Sequence, residues 1–326
     1  MDVQKIKRHT STHSIWLVLV VMVVFTAFIN PRFLSVDNLH NILMTEAVIG
    51  ILAAGVMWCI LAKGIDLSLG SVVALVSVVS ASFVQVHDYA GKLFPNLPDL
   101  PIGVGVIAGI VVGTLIGLVN GLLVAYTKIP PFIATLGTQL IARSLAQLYT
   151  NAYPVPTLKP EFKALGQGWI LGIPTIVWFM IIILAISGFM LTQTRFGKNI
   201  YAIGGNEQAA RVAGINVEKN LIKVYTWSCF CAAVGGVLLA ARAGSGNSSY
   251  GLNYELDAIA AVTVGGTSHS GGICRISGVI AGILILGVLK NAMIFIGINP
   301  YVQQAIKGAI IIGAVVFDMR KNAKRI

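Results

Sequence analysis

The chain has 326 residues, of which 56% are hydrophobic and 11% charged, with a formal net charge of +11. Soluble domains carry about a quarter charged residues, so an ordinary globular fold is excluded and an integral membrane protein is indicated. The positive charge is spread along short polar segments instead of gathering with aromatics on one module, which argues against nucleic acid as a partner.

A basic N-terminus precedes the first apolar run, residues 14–30, and no A-x-A-like site follows it, so it reads as an uncleaved helix. Charge-poor runs near the ~20 residues a crossing helix needs follow at 42–62, 68–86, 102–126, 132–149, 170–191, 221–241 and 276–296. Residues 254–272, interrupted by Gly265 and Gly266, and 301–316, which holds Lys307, are weaker. With ten crossings and a cytoplasmic N-terminus, the inner segments hold Lys5, Lys7, Arg8, Lys63, Lys128, Arg195, Lys198, Arg211, Lys219, Lys223, Arg275, Arg320, Lys321, Lys324 and Arg325. The outer segments hold only Arg32, Lys92, Lys159, Lys163 and Arg242, as the positive-inside rule requires. Dropping 254–272 would move the basic tail outside, so that crossing is kept as short or broken. The expected fold is an all-α polytopic membrane protein of about ten transmembrane helices with both termini cytoplasmic, residues 1–326 forming a single membrane domain.

In the fourth run Gly105, Gly109, Gly113, Gly117 and Gly121 recur every four residues. Helices in lipid associate through such small-xxx-small faces, so this run predicts close helix packing. Ala305, Ala309 and Gly313 make a shorter version in the last run. Asn120 lies within the glycine face and either bonds a neighbouring helix or lines an aqueous path. Glu46, Glu255, Asp257, Lys290 and Lys307 fall toward the outer ends of their runs, and Arg143 lies past the middle of its own. Together Glu46, Asn120, Arg143, Glu255, Asp257 and Lys290 are candidates for a polar vestibule that hydrogen-bonds a hydroxyl-rich solute. The alternative for Lys290 and Lys307 is snorkelling to the nearer interface. At the inner ends, Asp66 is placed to cap the third run, and Pro130 and Pro131 break the pattern.

The polar loop 194–220 sits between two apolar runs. Within it Asn206 can cap a helix from Glu207 to Ala213, Arg211 suits an i,i+4 pair with Glu207, and Gly214 supplies a left-handed stop. A helix of ~10 Å is too short to persist alone in water, so something must hold it. Ala209, Ala210, Val212 and Ala213 give it a small-residue surface. Two readings stand: a rigid knob seated on a separate ATPase that energises a permease, or a loop helix lying on lipid headgroups.

Enzyme chemistry is absent from the pattern. No G-x-x-x-x-G-K-[ST] occurs, since Gly197-Lys198-Asn199 lacks the hydroxyl and the glycine spacing, and Ser270-Gly271-Gly272 reads as a turn. The five histidines show no metal-like spacing, and Cys59, Cys229, Cys231 and Cys274 read as small buried residues. No cofactor, metal or catalytic residue is expected.

Residues 64–71 (GIDLSLGS), 131–138 (PFIATLGT), 194–214 (TRFGKNIYAIGGNEQAARVAG) and 254–272 (YELDAIAAVTVGGTSHSGG) resemble the permease subunits of bacterial ATP-binding-cassette (ABC) sugar importers of the ribose, xylose and galactose type. The resemblance covers essentially the whole chain. Residues 93–101 (LFPNLPDLP) and 297–301 (GINPY) look most similar to its galactose and methyl-galactoside branch. The resemblance implies a homodimer in the inner membrane, a cytoplasmic ATPase that uses ATP and Mg, and a periplasmic sugar-binding protein. It also implies alternating access, with Asn206, Glu207, Ala209, Ala210, Arg211 and Gly214 coupling the permease to the ATPase. An ion-coupled secondary carrier is the rival class. It would place titratable groups or broken helices near the midplane, where the sequence reading puts only Arg143. An ABC permease for amino acids or a furanosyl diester is the second rival.

Overall fold

In hydrocarbon every backbone amide must bond within its own segment, so long apolar runs fold as helices. A computed structural model describes residues 3–322. The elements are α1 (Val3–Ile29), a 3-10 turn, α2 (Val36–Leu61), α3 (Leu69–Phe83), α4 (Ile102–Leu122) with a π turn to Thr127, α5 (Pro131–Thr150) and α6 (Pro160–Gln167). A hairpin of β1 (Trp169–Ile170) and β2 (Ile173–Pro174) follows, with Ile170 opposite Ile173. Then come α7 (Thr175–Gln193), α8 (Arg195–Gly205), α9 (Glu207–Val212), α10 (Val217–Ala243), α11 (Tyr254–Val264), α12 (Ile276–Phe295) and α13 (Pro300–Asn322). Among the described residues six helices are long and apolar enough to cross a membrane: α2, α4 with its π turn, α7, α10, α12 and α13.

The core is built on α2 and α10. Every α2 residue from Glu46 to Leu61 is buried, the mark of a helix apolar all round. The glycine face of α4 lies against α3 and α10. A Cβ at Gly113 would sit 2.6 Å from Ala233 Cβ and 3.0 Å from Val76 Cγ2, and one at Gly121 would sit 2.7 Å from Ile222 Cα. Only hydrogen fits there. The shorter stripe in α13 behaves differently from the packing expected: Ala305, Ala309 and Gly313 are exposed, and nothing lies within 4 Å of a Cβ at Gly313. Among the described residues this face of α13 is left uncovered.

Two of the expected crossings hold helices too short to span by themselves, one more than the sequence suggests. α3 has 15 residues and α11 has 11, or ~22 and ~16 Å against a hydrocarbon core of ~30 Å. Each is preceded by non-helical chain, residues 64–68 before α3, where Asp66, Leu67 and Ser68 are buried, and the stretch from Ser245 before α11, where Gly246, Ser248 and Gly251 are buried. Ser68, at the start of α3, lies 3.6 Å from the Cys229 Sγ, about halfway along the 27 residues of α10. Gly251 and Glu255, at the start of α11, pack on Gly70 in the first turn of α3. From this shared depth the two short helices run opposite ways: α3 toward Gly105 at the start of α4, α11 toward the end of α2. The chain therefore does contain broken helices that start deep, which the sequence reading had reserved for the rival carrier class.

Irregular backbone at this depth must find partners within the protein. Gly246 exchanges backbone hydrogen bonds of 2.8 and 2.9 Å with Val155, and Ser77 Oγ donates to Asn247 O at 3.2 Å. Arg143 Nη1 donates to Ser248 O at 2.6 Å and Tyr250 O at 2.7 Å.

Candidate functional site

The loop between α7 and α10 folds as two helices, and α8 is an element the sequence reading left out. Thr194 caps α8, accepting from Gly197 N at 3.2 Å, and Phe196, Ile200 and Ile203 line its inner face. Asn206 caps α9, its Oδ1 accepting from Ala209 N at 3.0 Å. Gly214, at φ +81°, ends α9, and Ile215 N–H returns to Ala210 O at 3.0 Å. Arg211 pairs with Glu207 at 2.9 Å and reaches Glu218 on α10 at 2.6 Å. These partners raise the guanidinium pKa, Glu218 first and Glu207 second. The clamp folds α9 back onto the base of α10.

That clamp corrects one expectation. Ala210 is turned inward and 3% exposed, so it is no part of a surface offered to another protein. The outward face is Glu207, Gln208, Ala209, Arg211, Val212, Ala213 and Gly214, with Val212 90% exposed.

The polar groups fall into two sets. Around the start of α3, Asp66 is fully buried, and its Oδ1 accepts from Ser68 Oγ at 2.6 Å and Ser68 N at 3.1 Å. It thus caps a turn just ahead of α3 and leaves the helix amides themselves uncapped. Asn120 Nδ2 donates to Ser68 Oγ at 2.9 Å, and Cys229 Sγ lies 3.6 Å from Asp66 Oδ2. Asn120 is wholly buried, so of its two readings the structure places it as a bond between helices. Cys229 is also more than a small apolar residue, since it closes this knot.

The second set gathers the vestibule candidates in pairs. Glu46, 3% exposed, faces Lys290 with its Oε1 4.0 Å from the Nζ. Asp257 pairs with Lys307 at 2.6 Å, so this lysine has an acid partner. Gln139 Nε2 donates to Glu255 Oε1 at 3.1 Å, while Glu255 Oε2 has no hydrogen-bond partner among the described residues. Arg143 and Gln139 are half-exposed on α5, a helix that also exposes Ser144 and Gln147. Sequence reasoning overlooked Gln139 and Asp66 as members of these sets; the partner in each case lies over a hundred residues away.

Residues 38–315 match the profile of a family described as branched-chain amino acid transport system / permease component. The chain belongs to this permease family. It is 43% identical over 318 residues to the galactose/methyl galactoside import permease protein MglC of Escherichia coli (strain K12), covering 95% of each chain. It is 39% identical over 315 residues to the ribose import permease protein RbsC of Haemophilus influenzae, covering 95% of this chain and 94% of the relative. The ribose import permease protein RbsC of Bacillus subtilis is 39% identical over 310 residues, covering 94% of this chain and 92% of its own. No solved structure matches the chain. The permease is the membrane component of an ABC importer in the bacterial inner membrane, a transport component and not a catalyst. Permeases of this kind work in general with an ATPase and a solute-binding protein.

Proposed function

We propose that this permease moves a monosaccharide, galactose or a methyl galactoside, inward by alternating access. The observation that carries the reading is full-length similarity to sugar import permeases, at 43% identity to the galactose/methyl galactoside relative and 39% to the two ribose relatives. In this reading residues 1–326 form one membrane domain of ten crossings, with both termini and the loop 194–220 cytoplasmic. The permease acts as a homodimer. Support for that comes from α5, whose half-exposed Gln139 and Arg143 and exposed Gln147 suit a water-filled path between two copies better than lipid. Arg143, with Gln139 beside it, then faces the sugar, while Glu46, Glu255, Asp257 and Lys290 support it from behind and Asn120 only packs. A cytoplasmic ATPase that uses ATP and Mg seats on Asn206, Glu207, Ala209, Arg211 and Gly214 at the outer side of α9, with Ala210 securing the helix from within. A periplasmic binding protein delivers the sugar.

Reconstitution tests this. Permease and ATPase in proteoliposomes, with ATP on the ATPase side and loaded binding protein on the other, should accumulate labelled galactose only when ATP is present. Uptake by the permease alone, or uptake of leucine in preference to galactose and ribose, would overturn the reading.

A further inference from the structure

Three backbones meet at the end of α8. Gly272 N–H, in the turn between α11 and α12, donates at 3.0 Å to Leu61 O, the last residue of α2. Gly204 lies against both: a Cβ there would run into Leu61 O and sit 2.6 Å from Gly272 N. Gly271 and Gly272 take φ of +80° and +70°, which brings their backbone against Gly204 and Gly205. Side chains close the joint. Lys63 Nζ donates to Gly205 O at 3.4 Å, and Tyr201 OH donates to Cys274 O at 2.6 Å. Trp58 of α2 stacks on Phe196 of α8 with centroids 5.0 Å apart and planes at 20°. Ser268 Oγ and His269 N–H donate to Asp318 Oδ2 at 3.0 and 2.9 Å, tying the same turn to α13.

The position of the joint gives it meaning. Beyond Leu61 the chain runs through 64–68 to the buried start of α3, and ahead of Gly272 it comes from the end of α11. Among the described residues, the close backbone approaches at glycines that tie α8 to the chain around the two broken helices fall at this joint. A backbone-to-backbone contact without side chains has little slack, because no rotamer can absorb a shift.

We infer that the Leu61–Gly204–Gly272 joint is the positioning element through which movement of the α8–α9 segment reaches α3 and α11 together. Gly204, Lys63 and Tyr201 act through it and touch neither nucleotide nor sugar. The inference rests on the reading that α9 seats on an ATPase. A push on α9 is carried along α8 to Gly204, and from there divides between the strap to α3 and the base of α11, so the helix starts that face each other at Gly70 and Glu255 move in one step.

The test compares neighbours in the assembled transporter. Gly204→Ala forces the joint apart, whereas a Cβ at Gly205 meets nothing within 4 Å, so Gly205→Ala is the control. Gly204→Ala should keep the ATPase bound and its basal hydrolysis unchanged, while uptake and the stimulation of hydrolysis by galactose-loaded binding protein fall roughly tenfold or more. Gly205→Ala should match the wild type. Tyr201→Phe and Lys63→Met, which loosen the joint without crowding it, should lower stimulation by a few-fold with the ATPase still bound. Wild-type uptake in Gly204→Ala overturns the inference. So does failure of Gly204→Ala to assemble, if Tyr201→Phe and Lys63→Met then show wild-type stimulation. An ATPase that never copurifies with the wild-type permease would instead remove the underlying reading.

Discussion

Substituting Gly117 by alanine measures how tightly α4 is seated. The new Cβ would lie 2.6 Å from Tyr225 O, 2.7 Å from Cys229 Cβ and 2.9 Å from Thr226 Cα. Ordinary carbon contacts are ~3.5–4.0 Å, so α4 has to retreat from α10 by about 1 Å. Two of the three obstacles are backbone, which cannot rotate away. Overpacking of this kind costs ~1–3 kcal/mol, against a gain of up to ~1 kcal/mol in helix propensity. The net loss is on the order of 1–2 kcal/mol, or ~1.5–3 °C in Tm for a chain of this size. Cys59, Cys229, Cys231 and Cys274 are free and buried, so a thiol-reactive fluorophore reports unfolding of the detergent-solubilised protein without added labels. Gly103 is the matched control in the same helix, since nothing lies within 4 Å of a Cβ there. Gly103→Ala should leave Tm unchanged or raise it. A Gly117→Ala protein as stable as the wild type, with Gly103→Ala indistinguishable from it, would refute the groove as the seat of α4.

The outward face of α9 can be separated from its inward face. Val212→Asp, at a residue 90% exposed, should abolish ATPase copurification and uptake without lowering Tm, whereas Ala210→Glu should lower Tm because it forces a carboxylate into a buried site. Retained ATPase binding in Val212→Asp would move the contact elsewhere. Arg143→Met strips the donor from Ser248 O and Tyr250 O, at about 1–3 kcal/mol for each buried acceptor left unpaired. Its Tm should drop by several degrees, Arg143→Lys should recover part of the loss, and a stable Arg143→Met protein would show that these carbonyls find water. For topology, a cysteine at exposed Asn96 should react with an impermeant thiol reagent applied outside intact cells, and one at exposed Asn206 should not. Labelling at 206 from outside would invert the orientation.

Much of this architecture could be read from one sequence because its signals are local. The four-residue glycine period of α4 and the cap and stop of α9, Asn206 and Gly214, depend on spacing alone. What escaped depends on distance. Asp66 looks like an ordinary turn residue until Cys229, on a helix far along the chain, is placed beside it. The short length of α3 was hidden because Leu67 and Leu69 continue an apolar run whether or not the backbone is helical. Ala210 was turned the wrong way since six residues hold under two turns, too few for periodicity to choose a face, and the choice is made by the Arg211–Glu218 pair. α8 did carry a signal, the apolar spacing Phe196, Ile200 and Ile203 behind a threonine cap, which was masked by the surrounding Gly, Lys and Asn.

The deep start of α3 also bears on how the permease is made. A 15-residue helix entered through irregular chain with a buried carboxylate is poorly suited to leave the translocon alone, since the buried side chains of Asp66, Ser68 and Ser77 lack there the partners they hold in the finished fold. Those partners are Asn120 on α4, then Cys229 on α10, then Asn247 beyond it. Residues 64–83 must therefore wait, held near the insertion machinery or at the lipid interface, until more than half of the chain has been synthesised. A nascent chain that stalls before α10 presents an unfinished segment of this kind to membrane proteases, and biogenesis, more than the stability of the finished fold, becomes the step most exposed to mutations in α10.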